Sequence, residues 1–263
     1  MMEKTGKKKI AFFDLDETLI SHRMNEVPDS TRRTLKKLQE QGIQVVLSTG
    51  RHERELELLP SRNIPFDGYV TLNGQVCRDR NGKAFYESPL DQEDVDRLAK
   101  LFREKEIPMI FKEKEEIYIN FVNDNVVSAQ RDINTRIPAV REYHGADVYQ
   151  VVVYIKAGEE YKIEKYLKNC KITRWNKNAV DIVPKEGGKG AGIEEYLKGC
   201  NLTAEDAMAF GDGPNDMEML ETVSLGICMG NGDDSVKKIA DYVTDSVDAD
   251  GIEKAMLHLG YIE

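Results

Sequence analysis

Asp14 and Asp16 stand two residues apart at the end of the apolar run Ile10-Ala11-Phe12-Phe13, with Thr18 just beyond. Carboxylates that close repel each other, and one pKa rises unless a cation lies between them. Taken alone, the pair fits an exposed acidic turn as readily as a metal site. Other residues carry matching chemistry. Thr49 lies in the turn Ser48-Thr49-Gly50-Arg51, where a hydroxyl and free backbone N–H groups at a helix start suit a phosphate oxygen. Lys189, in Glu186-Gly187-Gly188-Lys189-Gly190, offers a point positive charge. Gly211-Asp212-Gly213-Pro214-Asn215-Asp216 adds further oxygen ligands of the kind that Mg²⁺ prefers.

These groups work together only if the chain delivers them to one place. Four apolar residues in succession fit a strand buried on both faces of a parallel sheet. Such a strand presents the residues just past its end at the carboxyl edge, where ligands of open α/β folds bind. The flanks repeat this rhythm. A helix is expected over 28–41, capped by Asp29 or Ser30 and ended by Gly42, then a strand at 43–47, a helix at 52–59 and a strand at 68–72. A hairpin at 76–85 turns at Asn81-Gly82. After Pro184 the pattern resumes, with helices at 190–197, 217–222, 235–240 and 251–259 and strands at 206–210, 224–229 and 242–243. Between the flanks the texture differs: a helix at 91–106, strands at 108–111 and 116–121, a helix near 124–135, a strand at 148–155, a helix at 159–168, and paired strands at 171–175 and 179–183. The expected fold is therefore α/β, a Rossmann-like core with a mostly parallel sheet built from residues 1–85 and 185–263, interrupted by an inserted α+β domain over 86–184.

The expected strand ends place Asp14, Asp16, Thr49, Lys189, Asp212, Asn215 and Asp216 on one edge. That is a phosphate-and-magnesium pocket with a carboxylate to spare. Phosphoryl transfer asks mainly for positioning and charge stabilisation, and an aspartate can accept the phosphoryl group covalently. A second aspartate two residues on can protonate the leaving alcohol and later deprotonate water.

Asp14-Leu15-Asp16-Glu17-Thr18, Ser48-Thr49-Gly50-Arg51, Lys189 and Gly211–Asp216 resemble, in order, the four motifs of the haloacid dehalogenase (HAD) phosphatase superfamily. The insertion, with Asn73-Gly74 and Met229-Gly230-Asn231, is similar to the Cof-type sugar-phosphatase branch and its large α/β cap. The resemblance implies Asp14 as nucleophile and metal ligand, Asp16 as general acid/base and metal ligand through its backbone carbonyl, and Asp212 as the third protein ligand to Mg²⁺. It places Thr49, Gly50, Lys189 and Asn215 at the phosphate, and Asp216 in support of the metal. Two positions depart from the branch: Glu17 stands where glycine is usual, and Asp181 where glutamate is more frequent.

Bulk properties narrow the partners. A net charge of −10 argues against nucleic-acid phosphates and anionic membranes. The four apolar residues after the basic stretch 1–9 are too few for a signal peptide, and no run reaches membrane-spanning length. Cys77, Cys170, Cys200 and Cys228 have no metal-binding spacing and read as reduced thiols, so a cytoplasmic monomer or homodimer acting on a small phosphate ester is expected. The glycines around Lys189 lack the Ser/Thr of a P-loop, and those at Gly190-Ala191-Gly192 lack the third glycine of a dinucleotide fingerprint. His22, His52, His144 and His258 read as isolated surface or packing residues, and Arg141, Arg174, Trp175 and Lys177 as solvated charge with a packing aromatic. A phosphomutase and a non-catalytic phosphosugar-binding protein are the alternatives.

Overall fold

The computed structural model describes residues 8–263; most of the basic start, residues 1–7, lies outside it. The chain opens with β1 (Ile10–Phe13), α1 (Asp29–Glu40), β2 (Gln44–Ser48), α2 (Glu53–Leu56), β3 (Gly68–Thr71), β4 (Val76–Asp79) and β5 (Ala84–Glu87). It continues through α3 (Gln92–Glu104), β6 (Met109–Glu113), β7 (Ile117–Ile119), α4 (Asp124–Asp132), β8 (Val148–Val153), α5 (Tyr161–Glu164), β9 (Cys170–Asn176) and β10 (Ala179–Pro184). It closes with α6 (Lys189–Gly199), β11 (Ala207–Gly211), α7 (Met217–Thr222), β12 (Gly226–Cys228), α8 (Asp234–Ile239), β13 (Tyr242–Val243) and α9 (Gly251–His258).

The flanks share one eight-stranded sheet in the order β13-β12-β11-β1-β2-β3-β4-β5. Pairing is parallel from β13 to β3 and antiparallel from β3 to β5. β1 lies between β11 and β2, so it is covered on both faces and hydrogen-bonded on both edges. Its side chains alternate accordingly: Ala11 and Phe13 join the core formed with Leu35, Leu47 and Met256, while Ile10 and Phe12 join that formed with Ile193, Tyr196 and Met219. All four β1 residues are wholly buried, which explains the unbroken apolar run.

The intervening segment makes a second, antiparallel sheet in the order β7-β6-β8-β10-β9. α3 packs Val95, Leu98 and Phe102 on one face of it, against Phe111, Val151 and Ile182. The opposite face carries Ile110, Val152 and Tyr154 and looks towards the carboxyl edge of the first sheet.

Several local expectations are corrected. α1 starts behind Pro28 with no side-chain cap; the Ser30 hydroxyl donates instead to Asp250 at 2.5 Å. The helix expected over 52–59 stops at Leu56, because Pro60 supplies no N–H and holds Leu59 extended, and a 3₁₀ turn follows at Pro60–Asn63. α5 is one turn only, continued to Leu167 by three-residue turns rather than α-helical bonds. The hairpin at Asn81-Gly82 forms as expected, with Gly82 at φ +79.

One glycine fixes how β3 and β4 meet α6. Gly74 sits at φ +91, and a Cβ there would lie 2.1 Å from the Gly188 carbonyl oxygen, just before Lys189. Gly74→Ala therefore combines left-handed strain with a backbone collision, and we expect it to lower unfolding free energy by about 2–4 kcal/mol. A urea-unfolding midpoint equal to wild type would contradict this packing.

Candidate active site

β1, β2, β11 and the start of α6 bring the sequence-predicted residues to one crevice. Asp14 follows β1 and donates its backbone N–H to the Phe210 carbonyl at 2.9 Å, which ties it to the end of β11. The Lys189 ammonium, 1% exposed, bridges the Asp14 and Asp216 carboxylates, the latter at 2.6 Å. The other Asp216 oxygen accepts the backbone N–H groups of Asp212 at 2.9 Å and Gly213 at 3.0 Å, shaping the loop after β11. Thr18 donates its hydroxyl to Asp212 at 2.9 Å.

The Asp14, Asp212 and Asp216 oxygens fall within 4.8 Å of one another. Three carboxylates thus face one lysine. Burial, followed by repulsion from Asp216, pushes the Asp14 carboxyl up to about 7, and burial with repulsion from Asp14 raises Asp212 well above its ordinary value. Excess buried negative charge on hard oxygen donors is the setting a divalent cation such as Mg²⁺ fits. Asp216, expected only in support, contributes an oxygen to the cluster itself. Thr49 is 1% exposed at the end of β2, with its backbone pinned by Val70 and Asn73, and lines the same crevice with Gly50 and Asn215.

The Asp16 side chain points elsewhere. Arg51 holds it as a fork, Nε to Oδ2 at 2.8 Å and Nη2 to Oδ1 at 2.6 Å, and His22 Nε2 lies 2.8 Å from Oδ1. Against the desolvation that would raise it, the Arg51 guanidinium and His22 hold the Asp16 carboxyl far below its ordinary range. His22 is therefore not an isolated histidine; Asp16 raises its pKa, and its backbone N–H donates to Glu17 at 2.8 Å. Glu17 adopts φ +59, the left-handed conformation that glycine takes without cost, and lines the crevice mouth. His52 is likewise not isolated: it caps α2 and reaches the Glu113 and Lys114 carbonyls of the second sheet at 2.9 and 3.1 Å.

Above these groups lies a cavity of about 310 Å³, closed by the second sheet. Trp175 packs against Ile110, Val152 and Tyr154 as expected and also lines the cavity, while Arg174 is engaged by Glu160 and Arg141 by Glu116. Lys177 is not among the lining residues. Asp181 is also in the wall, accepting from Asn73 at 2.8 Å and Trp175 Nε1 at 2.9 Å. Lys112, Gln130, Gln150 and Tyr154 also line that wall, none of them expected there from the sequence. Gln150 did leave a signal, being a polar residue between Tyr149 and Val151 in a wholly buried strand.

The sequence pattern of haloacid dehalogenase-like hydrolases matches residues 11–256. The chain belongs to this family. It is 31% identical over 258 residues to YkrA of Bacillus subtilis (strain 168), which carries a provisional phosphatase name, covering 97% of this chain and 99% of that one. It is 25% identical over 260 residues to the B. subtilis 5-amino-6-(5-phospho-D-ribitylamino)uracil phosphatase YitU, covering 94% and 96% of the two chains. Among solved structures, the HAD subclass IIB sugar phosphatase BT4131 superposes with a TM-score of 0.87 at 33% identity, covering 97% of this chain and 100% of that one. The protein is thus a HAD-like phosphatase of the sugar-phosphatase branch. No helix among the described residues is long and apolar enough to cross a membrane.

The Asp14 carboxyl titrates near 3.8 when unperturbed and near 7 in the fold. Between those values the native state keeps a proton that the unfolded chain releases, so this group lowers stability as pH rises through the window. Metal-free Asp14→Asn should therefore lose less melting temperature than wild type between about pH 4 and pH 7. Parallel melting curves for the two proteins across that range would show that Asp14 carries no such strain.

Proposed function

We propose that this phosphatase hydrolyses small phosphomonoesters, sugar phosphates or related polyol metabolites, through a phosphoaspartate on Asp14 in a Mg²⁺-dependent reaction. The observation that carries the reading is the buried cluster of Asp14, Asp212, Asp216 and Lys189 beneath a metabolite-sized cavity. Asp14 attacks phosphorus, the ester P–O bond breaks, and the departing alkoxide takes a proton from Asp16. Water then attacks the acyl phosphate, gives its proton to Asp16, and releases Asp14 with inorganic phosphate. Thr49, the Gly50 backbone, Lys189 and Asn215 receive the phosphoryl oxygens. Asp14, Asp212 and the Asp16 backbone carbonyl, with Asp216, would hold Mg²⁺, which when bound supplies positive charge to the carboxylates and to the phosphoryl group.

Asp16 must carry a proton in the first step, yet the Arg51 fork keeps it ionised. Entry of the ester has to loosen that fork, which makes Arg51 a gate on acid catalysis as well as a tether. Residues 86–184 act in this reading as the substrate-selecting cap, because the second sheet roofs the cavity and Arg51 spans to the carbonyl of Ile133, just past α4, at 3.1 Å. The substrate class follows from the relatives' names, a sugar phosphatase in one and a phosphorylated ribityl compound in another, whose shared chemistry is a hydroxylated leaving group.

Asp14→Asn should reduce turnover of a hexose phosphate by on the order of 10⁴-fold or more while leaving the circular dichroism spectrum unchanged. Comparable activity in the variant would refute the phosphoaspartate route. Chelation should silence the enzyme reversibly, and activity that survives exhaustive chelation would remove the metal from the scheme. With Mg²⁺ and a hexose phosphate, free phosphate is the expected product; an isomerised ester without phosphate release would make the protein a mutase.

A further inference from the structure

The end of the cavity away from Asp14 has chemistry that phosphoryl transfer does not use. The β6 and β8 register sets Lys112 opposite Gln150, and the β8 and β10 register sets Asp181 opposite Val152, so alternate residues of the second sheet face the cavity. Two amide oxygens in this wall, Gln130 Oε1 and Gln150 Oε1, are buried without a hydrogen-bond partner in residues 6% and 1% exposed. Their orientation follows from their amide nitrogens. Gln150 donates to the Asp181 carboxylate, and Gln130 donates to the Tyr154 hydroxyl at 2.5 Å. Each oxygen is left without a protein partner in a residue that lines the cavity, and buried acceptors in folded proteins are for the most part paired.

The charges of this wall are one-sided. The Lys112 ammonium is taken up by Glu55 at 3.1 Å and the Gly50 carbonyl at 3.2 Å, and Arg51 by Asp16. Both cations are engaged by other groups in this structure, and the buried Asp181 carboxylate would repel a second anionic group at this end of the cavity. Trp175, fixed through its Nε1 to Asp181, offers a flat wall to a ring or an extended carbon chain.

We propose that Gln130 and Gln150 are specificity-determining residues that accept hydrogen bonds from hydroxyls of the leaving alcohol. The pocket thereby selects neutral, hydroxyl-rich monophosphates and rejects esters bearing a second anion. This rests on the phosphatase reading of the Asp14 site and adds which esters that site takes. A site built to pair with hydroxyls rejects analogues lacking them far more strongly than an apolar pocket rejects an extra group.

The test compares kcat/KM of the full-length enzyme with Mg²⁺ on glucose 6-phosphate, ribitol 5-phosphate, 6-phosphogluconate, fructose 1,6-bisphosphate and p-nitrophenyl phosphate. At least one of the two neutral hydroxylated esters should exceed both anionic ones by roughly a hundredfold. In Gln150→Met, and separately in Gln130→Met, the ratio of that preferred ester to p-nitrophenyl phosphate should fall at least about tenfold, chiefly through KM. Equal turnover of 6-phosphogluconate or the bisphosphate overturns the charge rule, and an unchanged ratio in both variants overturns the role of the glutamines. In either case hydrolysis of p-nitrophenyl phosphate by wild type leaves the phosphatase reading standing. A wild-type enzyme inert towards all five esters would instead strike that reading and the proposal with it.

Discussion

Excess negative charge held out of water is the constraint on which this structure turns. Asp14, Asp212 and Asp216 converge about Lys189, which bridges two of them, and both partners of each ion pair are buried. Desolvation raises the cost of every charge there, and the lysine offsets part of it by bridging two carboxylates at once. Such a cluster survives only if the surrounding backbone holds the groups in place. The parallel strands β1 and β11 do this by pairing directly, so that Asp14 and Asp212 leave the sheet side by side. Asp216 then curls back on the loop N–H groups, and the close approach at Gly74 presses β3 and β4 against the residue before Lys189.

The same edge is the contact line with the second sheet, and most of the groups that cross it are polar. Arg51 reaches Thr135 and Ile133, His52 reaches Glu113 and Lys114, Lys112 reaches Gly50 and Glu55, and Asn73 reaches Asp181. Each sheet keeps its own larger apolar clusters, one on either side of β1 and others about β6, β8 and β10, while a small cluster of Leu72, Val76 and Tyr149 bridges the two. Interfaces of hydrogen bonds and ion pairs open at less cost than shared apolar cores. An active site roofed in this way can admit a polar ester and still exclude bulk water once it is bound.

Glu17 shows how a departure from a family pattern is absorbed. Its left-handed backbone carries strain in any residue with a Cβ. Around it the backbone N–H donates to Ile20, the carbonyl accepts from Asn231 at 2.8 Å, and the carboxylate accepts from His22. The acidic side chain thereby becomes part of the Asp16 surroundings rather than a loose charge at the mouth.

Much of the fold, and of which residues gather at the crevice, was legible in the sequence, because both depend on local signals. The four-residue apolar run before Asp14 fits a doubly covered strand, and polar punctuation at Thr49, Lys189 and Asp212 marks strand ends and a helix start that a parallel sheet must gather on one edge. Long-range pairing was decided by the tertiary structure alone. That Arg51 clamps Asp16, that His22 joins it, and that Asp216 enters the carboxylate cluster are facts of side-chain direction across loops. Gln130, Gln150 and Trp175 become cavity walls only through the register of the second sheet and its seating over the first. Composition and spacing set which groups are available and where each strand must end. Which of them touch, and so which acid is kept ionised and which acceptors are left open, is fixed by packing between segments far apart in the chain.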